Sequence, residues 1–328
     1  MILNREDRRI TFFSKVSLAP MAGICDNVLR SFVREYSNRC LITTEMISSE
    51  ALCNCPNCKI IEYEKKQSPI AFQLVGHKVD VMTQAAKILE KRADIIDINM
   101  GCPVKKVVGG SDGSALMRAP KVASDIVKSI KDSIEVPVSV KIRLGFTSRE
   151  ENFVEFGKLM EESGACMITI HARTRSQMYG GKADWKKIGK LVKEVEIPVF
   201  VNGDIVDLNS AKEAILESNA FGVSIGRGIL YDPSLIFRVE EFIDSGFTKI
   251  VPPLNFIERI EFLKKYLTKE VEYRTSIPGI KFMRKFYSYF IQGFENAARY
   301  RQKLVVEENY EKIIKILDEI KEVVSIYG

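Results

Sequence analysis

The chain has 328 residues, of which 46% are hydrophobic and 28% are charged, a composition typical of a globular protein with a large core. No run approaches the roughly 18 apolar residues that a membrane-spanning helix needs, so we expect no membrane partner. Charges are spread through the first 15 residues, which predicts a cytoplasmic protein whose seven cysteines stay reduced. The net charge of +6 permits an acidic partner such as RNA without requiring one.

Short apolar segments alternate with helical patterns through the first two thirds of the chain. In chain order the predicted strands are 16–23, 40–47, 69–76, 93–101, 137–145, 165–173, 198–205 and 221–229. Their nearly continuous apolar character is typical of parallel strands that helices cover. Segments between them, such as 78–92 and 152–164, carry helical spacing. Eight such units predict an α/β fold, a (β/α)8 TIM barrel, over residues 1–240.

The strand pattern stops after about residue 234. Three later segments have helical periodicity, at 255–273, 280–294 and 309–328. The Val-Pro-Pro sequence at 251–253 is a reasonable hinge. We therefore predict a small C-terminal all-helical domain over residues 250–328.

Polar residues and tight turns end nearly every predicted strand. In a TIM barrel the functional residues lie at the C-terminal ends of the strands, so these residues should meet at one rim. The residues at these ends are Pro20, Met21, Glu45, Gln73, Asn99, Lys141, His171, Arg173, Asn202, Asp204, Gly226 and Arg227. So many polar strand ends around one rim predict a ligand site.

The last two strands end in Asn-Gly-Asp (202–204) and Ile-Gly-Arg-Gly (225–228). The loops after strands seven and eight of such barrels often bind phosphate through backbone N–H groups, and Arg227 would add a charged clamp. The alternative is a pair of tight turns. Lys141 and His171 end strands five and six, and beside a phosphate they become candidate cofactor contacts. A fixed cation there would stabilise negative charge on a reduced flavin ring. Taken alone, Lys141 could equally be a lysine whose amine extends to the rim, and His171 is more often a histidine of the core.

Cys102 follows the fourth strand, between Gly101 and Pro103. Its loop, 101–118, holds four glycines and three basic residues. A thiol on a stiff turn beside anion-binding groups can be reactive or can serve as an acid. The alternative is a buried structural cysteine.

These motifs together resemble the tRNA-dihydrouridine synthases. The matching stretches are LAPMAG, FQLVG, DINMGCPVKKV, GSALMR, VKIRLG, HARTR with YGGKADW, NGDI and IGRGIL, in the family's order and spacing. They cover residues 16 to about 230, and the helical tail is similar to the C-terminal domain of the bacterial B-type branch. The resemblance implies an FMN-dependent enzyme that reduces a uridine in tRNA to 5,6-dihydrouridine, with NADPH as the reductant.

The same resemblance implies roles for the residues in these motifs. Cys102 would be the general acid that protonates uracil C5, while Asn99 and Arg173 would contact the substrate. The implied flavin contacts are Pro20, Met21, Ala22, Gln73, Lys141 and His171, with Asn202, Gly203, Asp204, Gly226 and Arg227 at the phosphate. The target base would have to leave the RNA stack to enter the barrel.

Residues 281–303 carry six basic residues against one acid, with seven aromatic residues among them. Basic and aromatic residues together suit phosphate contact and base stacking, so RNA contact is predicted at Lys281, Arg284, Lys285 and Arg299. The alternative is an amphipathic core helix with a solvated basic face. We expect tRNA rather than DNA as the partner, and a monomer.

The sequence CNCPNC at 53–58 departs from the family pattern. Cys53, Cys55 and Cys58 could hold a metal if Cys40 or Cys25 supplied a fourth ligand. Because no second Cys-x-x-Cys completes a zinc site, we expect a loop without metal.

Three other functions stay open on the sequence alone. The chain could be an FMN-barrel dehydrogenase of a free small molecule, similar to dihydroorotate dehydrogenase, although such an enzyme has no use for a basic helical domain. A dihydrouridine synthase could act on ribosomal RNA. The chain could also be a non-catalytic RNA-binding protein, which the presence of Cys102, Lys141 and His171 disfavours. No G-x-G-x-x-G fingerprint marks a separate nicotinamide domain.

Overall fold

The structure, a computed structural model, describes residues 2–3, 10–11 and 14–327. A closed barrel of eight parallel strands forms its centre, and the last strand pairs with both the seventh and the first. The strands are β1 (Val16–Leu18), β2 (Leu41–Ser48), β3 (Ile70–Val75), β4 (Ile95–Asn99), β5 (Val138–Arg143), β6 (Ile168–His171), β7 (Val199–Asn202) and β8 (Gly222–Ile225). Each lies within one residue of its predicted segment, so the predicted TIM barrel is confirmed. A separate antiparallel pair joins Ile2–Leu3 to Ile10–Thr11.

The interior of the barrel has an apolar floor. Side chains near the N-terminal ends of the strands form a small cluster of their own, made of Leu41, Ala71, Ile95, Met167 and Phe200. The alternate residues of the same strands face outward and join the larger core beneath the helices. Because this floor is filled, a ligand of the barrel is expected at the C-terminal ends of the strands.

Ten α-helices occur between the start of the barrel and residue 244. They are α1 (Asn27–Tyr36), α2 (Ser49–Asn54), α3 (Val79–Leu89), α4 (Lys105–Val108), α5 (Pro120–Ser133), α6 (Phe153–Glu162), α7 (Trp185–Val192), α8 (Leu208–Ser218), α9 (Gly228–Tyr231) and α10 (Leu235–Asp244), within the described residues. Short 3₁₀ turns lie at Lys59–Ile61, Lys65–Gln67 and Gly113–Arg118. Several of the α-helices begin at a side-chain cap. For example, α1 begins where the Asp26 carboxylate accepts the Leu29 N–H at 3.0 Å.

Five further helices make up the C-terminal part: α11 (Phe256–Arg274), α12 (Ser276–Met283), α13 (Tyr287–Phe290), α14 (Ala297–Val306) and α15 (Tyr310–Tyr327). α11 begins at a capping box formed by Asn255 and Glu258. It packs against α1, where the Phe32 ring lies 5.1 Å from Phe262 and 5.6 Å from Tyr266. The helical part and the barrel therefore share one continuous apolar core.

One predicted helix is wrong in its extent. The segment 280–294 was expected to be a single helix, but α12 already ends at Met283, α13 is one turn long, and a new helix starts at Ala297. Gly293 and Asn296 have positive φ values of +85° and +63°, which a right-handed helix cannot accommodate. At the other end, a Cβ on Gly279 would lie 2.5 Å from the Glu270 carbonyl oxygen, so the glycine lets α12 pack directly on α11.

None of the helices in the described part of the chain is both long and apolar enough to cross a bilayer.

Candidate active site

The turn that carries Cys102 is held by the last residue of β4. The side-chain oxygen of Asn99 accepts the N–H of Cys102 at 2.8 Å and that of Gly101 at 3.2 Å. Pro103 restricts the backbone on the other side. The Cys102 backbone is thereby fixed at the mouth of the barrel, while its side chain remains partly exposed.

The glycine-rich loop wraps around this turn. The Ser114 N–H donates to the Cys102 carbonyl at 3.1 Å, and Gly113 has a φ of +59°. A Cβ on Gly113 would lie 2.9 Å from the Cys102 oxygen, so only glycine permits this approach. Burial raises the pKa of the Cys102 thiol, which keeps it protonated at neutral pH. A protonated thiol is the form that a proton donor needs.

A buried hydrogen-bonded chain lies beneath Asn99. The Asn99 amide donates to Gln73 at 2.8 Å, and the Gln73 amide donates to Asp97 at 2.7 Å. Ser139 also donates to Asp97, at 2.6 Å. Burial raises the pKa of Asp97, although the bonds from Ser139 and Gln73 act in the opposite direction. Because both ends of the Gln73 amide are used, the chain fixes Asn99 and, through it, Cys102. Asp97 and Ser139 were not among the predicted site residues.

Lys141 supplies a cation on the next strand. Its ammonium donates to the Asn202 side chain at 3.2 Å, and Asn202 in turn donates to the Ser224 carbonyl at 2.7 Å. Burial, reinforced by the neighbouring Arg143, lowers the pKa of Lys141 to about 8. No carboxylate of the described residues lies within ion-pair distance of it. Such a cation is suited to an anionic or electron-rich ligand group.

His171 ends β6 beside the ion pair of the buried Arg173 with the partly exposed Asp204. Its Nε2 lies 3.3 Å from the Arg173 guanidinium, which also holds both oxygens of Asp204, at 2.8 and 2.6 Å. Burial, followed by the charges of Lys141 and Arg143, keeps the pKa of His171 well below its ordinary value, so its ring is neutral. Arg173 is only 2% exposed. The geometry gives Arg173 and Asp204 a supporting place behind the mouth, and their predicted substrate and phosphate contacts stay predictions.

The turns after β7 and β8 leave backbone donors free. Within the described residues the N–H groups of Gly203, Gly226 and Arg227 have no hydrogen-bond acceptor. Gly203 has a φ of +113°, and the Arg227 side chain is exposed. Unpaired N–H groups next to an exposed guanidinium form an anion-binding surface. The Met21 sulfur reaches this surface, 3.7 Å from where a Gly226 Cβ would stand. Of its neighbours in the β1 loop, Pro20 is half-buried and Ala22 exposed.

Two further residues at the mouth were missed from the sequence. The Arg143 guanidinium donates to the Gly101 carbonyl at 2.7 Å, directly beside the Cys102 turn. The half-exposed Tyr179 ring lies 5.6 Å from the Arg143 guanidinium, 5.4 Å from that of Arg227 and 6.3 Å from the His171 ring. Arg143 could have been found, because it stands two residues after Lys141 on the same face of β5. Tyr179 is the first residue of the YGGKADW stretch, but its loop has no periodic pattern that would place its side chain at the site.

Lys285 joins the helical part to the loop after β1. The Lys285 ammonium donates to the Gly23 carbonyl in the β1 loop, and the Glu45 carboxylate accepts the N–H of the same glycine. The Lys285 ammonium also lies 3.5 Å from the centre of the Phe282 ring. Lys285 is therefore the predicted RNA-contacting residue that touches the barrel.

The remaining predicted RNA contacts lie farther along the helical part. Lys281 and Arg284 each lie 3.2 Å from the Glu308 carboxylate, and Arg299 is exposed. The aromatic residues among these cations are taken up by the core, since all seven are buried or partly buried against it. This stretch can therefore offer an RNA its cations more readily than rings for base stacking.

The cysteine-rich segment shows no metal site among the described residues, where no three potential ligands converge. The two proposed fourth ligands are buried elsewhere: the Cys25 thiol donates to the Ala19 carbonyl at 3.4 Å, and Cys40 lies beside Arg34. The absence of a bound metal stays a prediction.

The chain is similar to known proteins over most of its length. The sequence profile of the dihydrouridine synthase family (Dus) matches residues 17–324. A probable tRNA-dihydrouridine synthase 1 of Synechocystis sp. is 35% identical over 94% of this chain and 87% of its own length. The tRNA-dihydrouridine synthase B of Pasteurella multocida is 32% identical, covering 88% of this chain and 87% of its own. Among solved structures, a 2-naphthoyl-CoA reductase complex matches with a TM-score of 0.54 at 10% identity, covering 71% of this chain and 50% of that one, a likeness of fold alone.

Proposed function

The chain belongs to the dihydrouridine synthase family, and from this premise we propose that it reduces a uridine of tRNA to 5,6-dihydrouridine, with FMN as cofactor and NADPH as reductant. One observation carries the proposal. A protonated, partly exposed thiol, Cys102, is held by Asn99 on the same rim as a buried cation and a surface of unpaired N–H groups. A rim of this kind suits a reaction that needs an anionic cofactor and a proton donor together.

The residues present fit FMN. The unpaired N–H groups of Gly203, Gly226 and Arg227, with the Arg227 guanidinium, would hold its single phosphate. Lys141 and His171 would contact the ring and its chain, where the neutral imidazole accepts a hydrogen bond and the ammonium balances negative charge. Residues of the β1 and β3 ends would line the ring; they are Pro20, Met21, Ala22 and Gln73.

The reaction divides between cofactor and protein. When bound, FMN supplies the reducing equivalents for uracil C6. Negative charge then develops toward C5, and the Cys102 thiol donates its proton there. Asn99 and the buried chain beneath it keep the thiol in place, so that the proton donor is positioned before the base arrives. Water at the partly exposed thiol restores the proton after each turnover.

The positive charge around the mouth supports RNA as the partner. A uridine in folded RNA must be flipped from its stack to reach Cys102. The half-exposed Tyr179 ring can meet such a base by stacking, while the buried Arg143 supports the Cys102 turn through its bond to the Gly101 carbonyl. Lys285 and the exposed cations Lys281 and Arg299 lie on the side where the rest of the RNA would bind.

The test combines cofactor analysis with product analysis. The purified protein should be yellow and should release FMN, not FAD, on denaturation. Under anaerobic conditions with NADPH, it should introduce dihydrouridine into tRNA from a strain deleted for this gene. If the protein introduced dihydrouridine into ribosomal RNA and not into tRNA, its substrate would be ribosomal RNA. A colourless protein that FMN does not reconstitute would overturn the proposal, as would NADPH oxidation driven by orotate-like molecules and not by RNA.

A further inference from the structure

The turn at residues 55–58 has no part in the proposed reaction, yet its geometry brings two thiols together. α2 ends at Asn54, where the Cys55 N–H donates to the Ala51 carbonyl at 2.9 Å. Three residues later the Cys58 N–H donates to the Cys55 carbonyl at 3.2 Å, closing a tight turn. A β-turn keeps its first and fourth Cα atoms within about 7 Å. Disulfide bonds join Cα atoms at roughly 4.4–6.8 Å.

The third cysteine of this segment is turned away. The Cys53 thiol donates to the Val81 carbonyl of α3 at 3.6 Å. Cys55 and Cys58, by contrast, stand at the two ends of the turn, which the bond from the Cys58 N–H to the Cys55 carbonyl closes. Cys55 is exposed and Cys58 is partly exposed. Of the three thiols, therefore, Cys55 and Cys58 form a pair that solvent can reach.

We propose that Cys55 and Cys58 are a thiol–disulfide exchange site that closes into a reversible intrachain disulfide with low-molecular-weight disulfides of the glutathione type. The more exposed thiolate, that of Cys55, attacks the incoming disulfide and releases one thiolate. The Cys58 thiolate then attacks the Cys55 sulfur and releases the second. Two protein thiols are oxidised by two electrons, and one small disulfide is reduced to two thiols.

The site adjoins the contact between the barrel and the helical part. Lys59 follows Cys58 directly, and its ammonium donates to the Tyr273 carbonyl at 2.7 Å. The same ammonium lies 3.9 Å from the centre of the Tyr273 ring, near the end of α11. The disulfide would thus join the end of α2 to the residue preceding this contact.

The experiment treats the reduced full-length holoprotein with oxidised glutathione, blocks the remaining thiols with N-ethylmaleimide and maps the peptides by mass spectrometry. The wild type should lose two thiols, joined as Cys55–Cys58, and should retain no glutathione on this segment. In Cys58→Ser the glutathione should stay on Cys55, because no second thiol displaces it. Cys53→Ser is the matched control, and it should form the same bond as the wild type.

Two results would overturn the proposal. One is a wild-type protein that accumulates glutathione on Cys55 as persistently as Cys58→Ser does. The other is a bond from Cys53 to either partner, or its loss in Cys53→Ser. Neither result depends on whether the protein modifies RNA, since the readout is the pairing of the thiols.

Discussion

The backbone and the acidity of Cys102 are controlled by different neighbours. Asn99 and the loop at Gly113 fix the backbone, while partial burial raises the thiol pKa. A cysteine with a purely structural role would need neither the exposed side chain nor the hydrogen-bonded turn. The arrangement is that of a proton donor, which must be protonated before the reaction and reachable by the substrate.

Replacing Cys102 with Ala should separate the two half-reactions. NADPH should still reduce the flavin at a near-normal rate, because the cofactor surface lies on other strands. Reoxidation by tRNA should slow by roughly 10²–10⁴-fold, the usual contribution of a positioned general acid. Single-turnover oxidation of prereduced enzyme, followed at the flavin absorbance, measures this. Cys55→Ala removes another exposed thiol, one outside the predicted site residues, and should reoxidise as the wild type does. If tRNA reoxidised Cys102→Ala at the wild-type rate, the Cys102 thiol would have a structural role and would not be the proton donor.

Lys141 should give the stability a distinct pH dependence. Its pKa in the folded protein is about 8, against an ordinary value of 10.5. Between these two values the lysine is neutral when folded but charged when unfolded. The unfolded state then binds more protons, so folding stability rises with pH across this window. Lys141→Met lacks this contribution. In urea unfolding of the FMN-free proteins, the free energy of unfolding of the wild type should rise relative to that of Lys141→Met from about pH 8 to about pH 10. A difference that does not change with pH would contradict the depressed pKa.

Strand elements were predictable because their outer faces carry a simple signal. Segments such as 137–145 are apolar enough to be recognised, and their order fixes which ends meet at the rim. Taking the polar residues at the strand ends identified Lys141 but not Arg143, although the alternation of side chains along β5 places both on the inner face of the barrel. Helix breaks were harder, since the stop at residues 293–296 depends on local φ values that residue periodicity does not encode.

Contacts between distant segments could not be predicted. Lys285 and Gly23 are 262 residues apart in the chain, and only tertiary packing of α11 on α1 brings them together. The Cys55–Cys58 pair is the opposite case. Its spacing was visible in the sequence, but the different direction of Cys53 appears only in the structure.

The turn after β7 offers a test at the level of one element. A Cβ on Gly203 would lie 2.9 Å from the His171 ring and 3.2 Å from the Ala183 Cβ, at a φ of +113°. Gly203→Ala should therefore lower the free energy of unfolding by about 1–3 kcal/mol and weaken FMN retention. Gly293→Ala is the matched control, because its φ is +85° but no atom lies within 4 Å of the new Cβ. The control should lose less stability and no FMN, as measured by urea unfolding and flavin fluorescence. Equal losses would show that the backbone angle alone matters and that the turn does not shape the cofactor site.

At the scale of the whole molecule, the helical part and the open end of the barrel form one surface. α11 is anchored on α1 by aromatic rings, and Lys285 touches the β1 loop. An RNA whose base enters the barrel would lie across this junction. The N-terminal end of the barrel is closed by its apolar floor and gives such an RNA nothing to enter.

The exposed cations of the helical part should therefore determine RNA affinity without affecting flavin reduction. Lys281, Arg299 and Lys303 are exposed, and replacing all three with Gln leaves the aromatic core intact. Each lost phosphate contact should lower the salt dependence of binding by about 0.7–0.9 in the log–log slope. The matched control replaces Lys15, Lys91 and Lys193, exposed lysines in the turns that precede β1, β4 and β7 at the closed end of the barrel. Both triple variants remove three charges, so a general electrostatic effect would weaken RNA binding equally. We expect the first variant alone to lose affinity and slope in filter-binding titrations across a salt series, with NADPH-driven flavin reduction unchanged in both. Equal losses would show that binding follows net charge, and the helical part would then have no specific place in recognising the RNA.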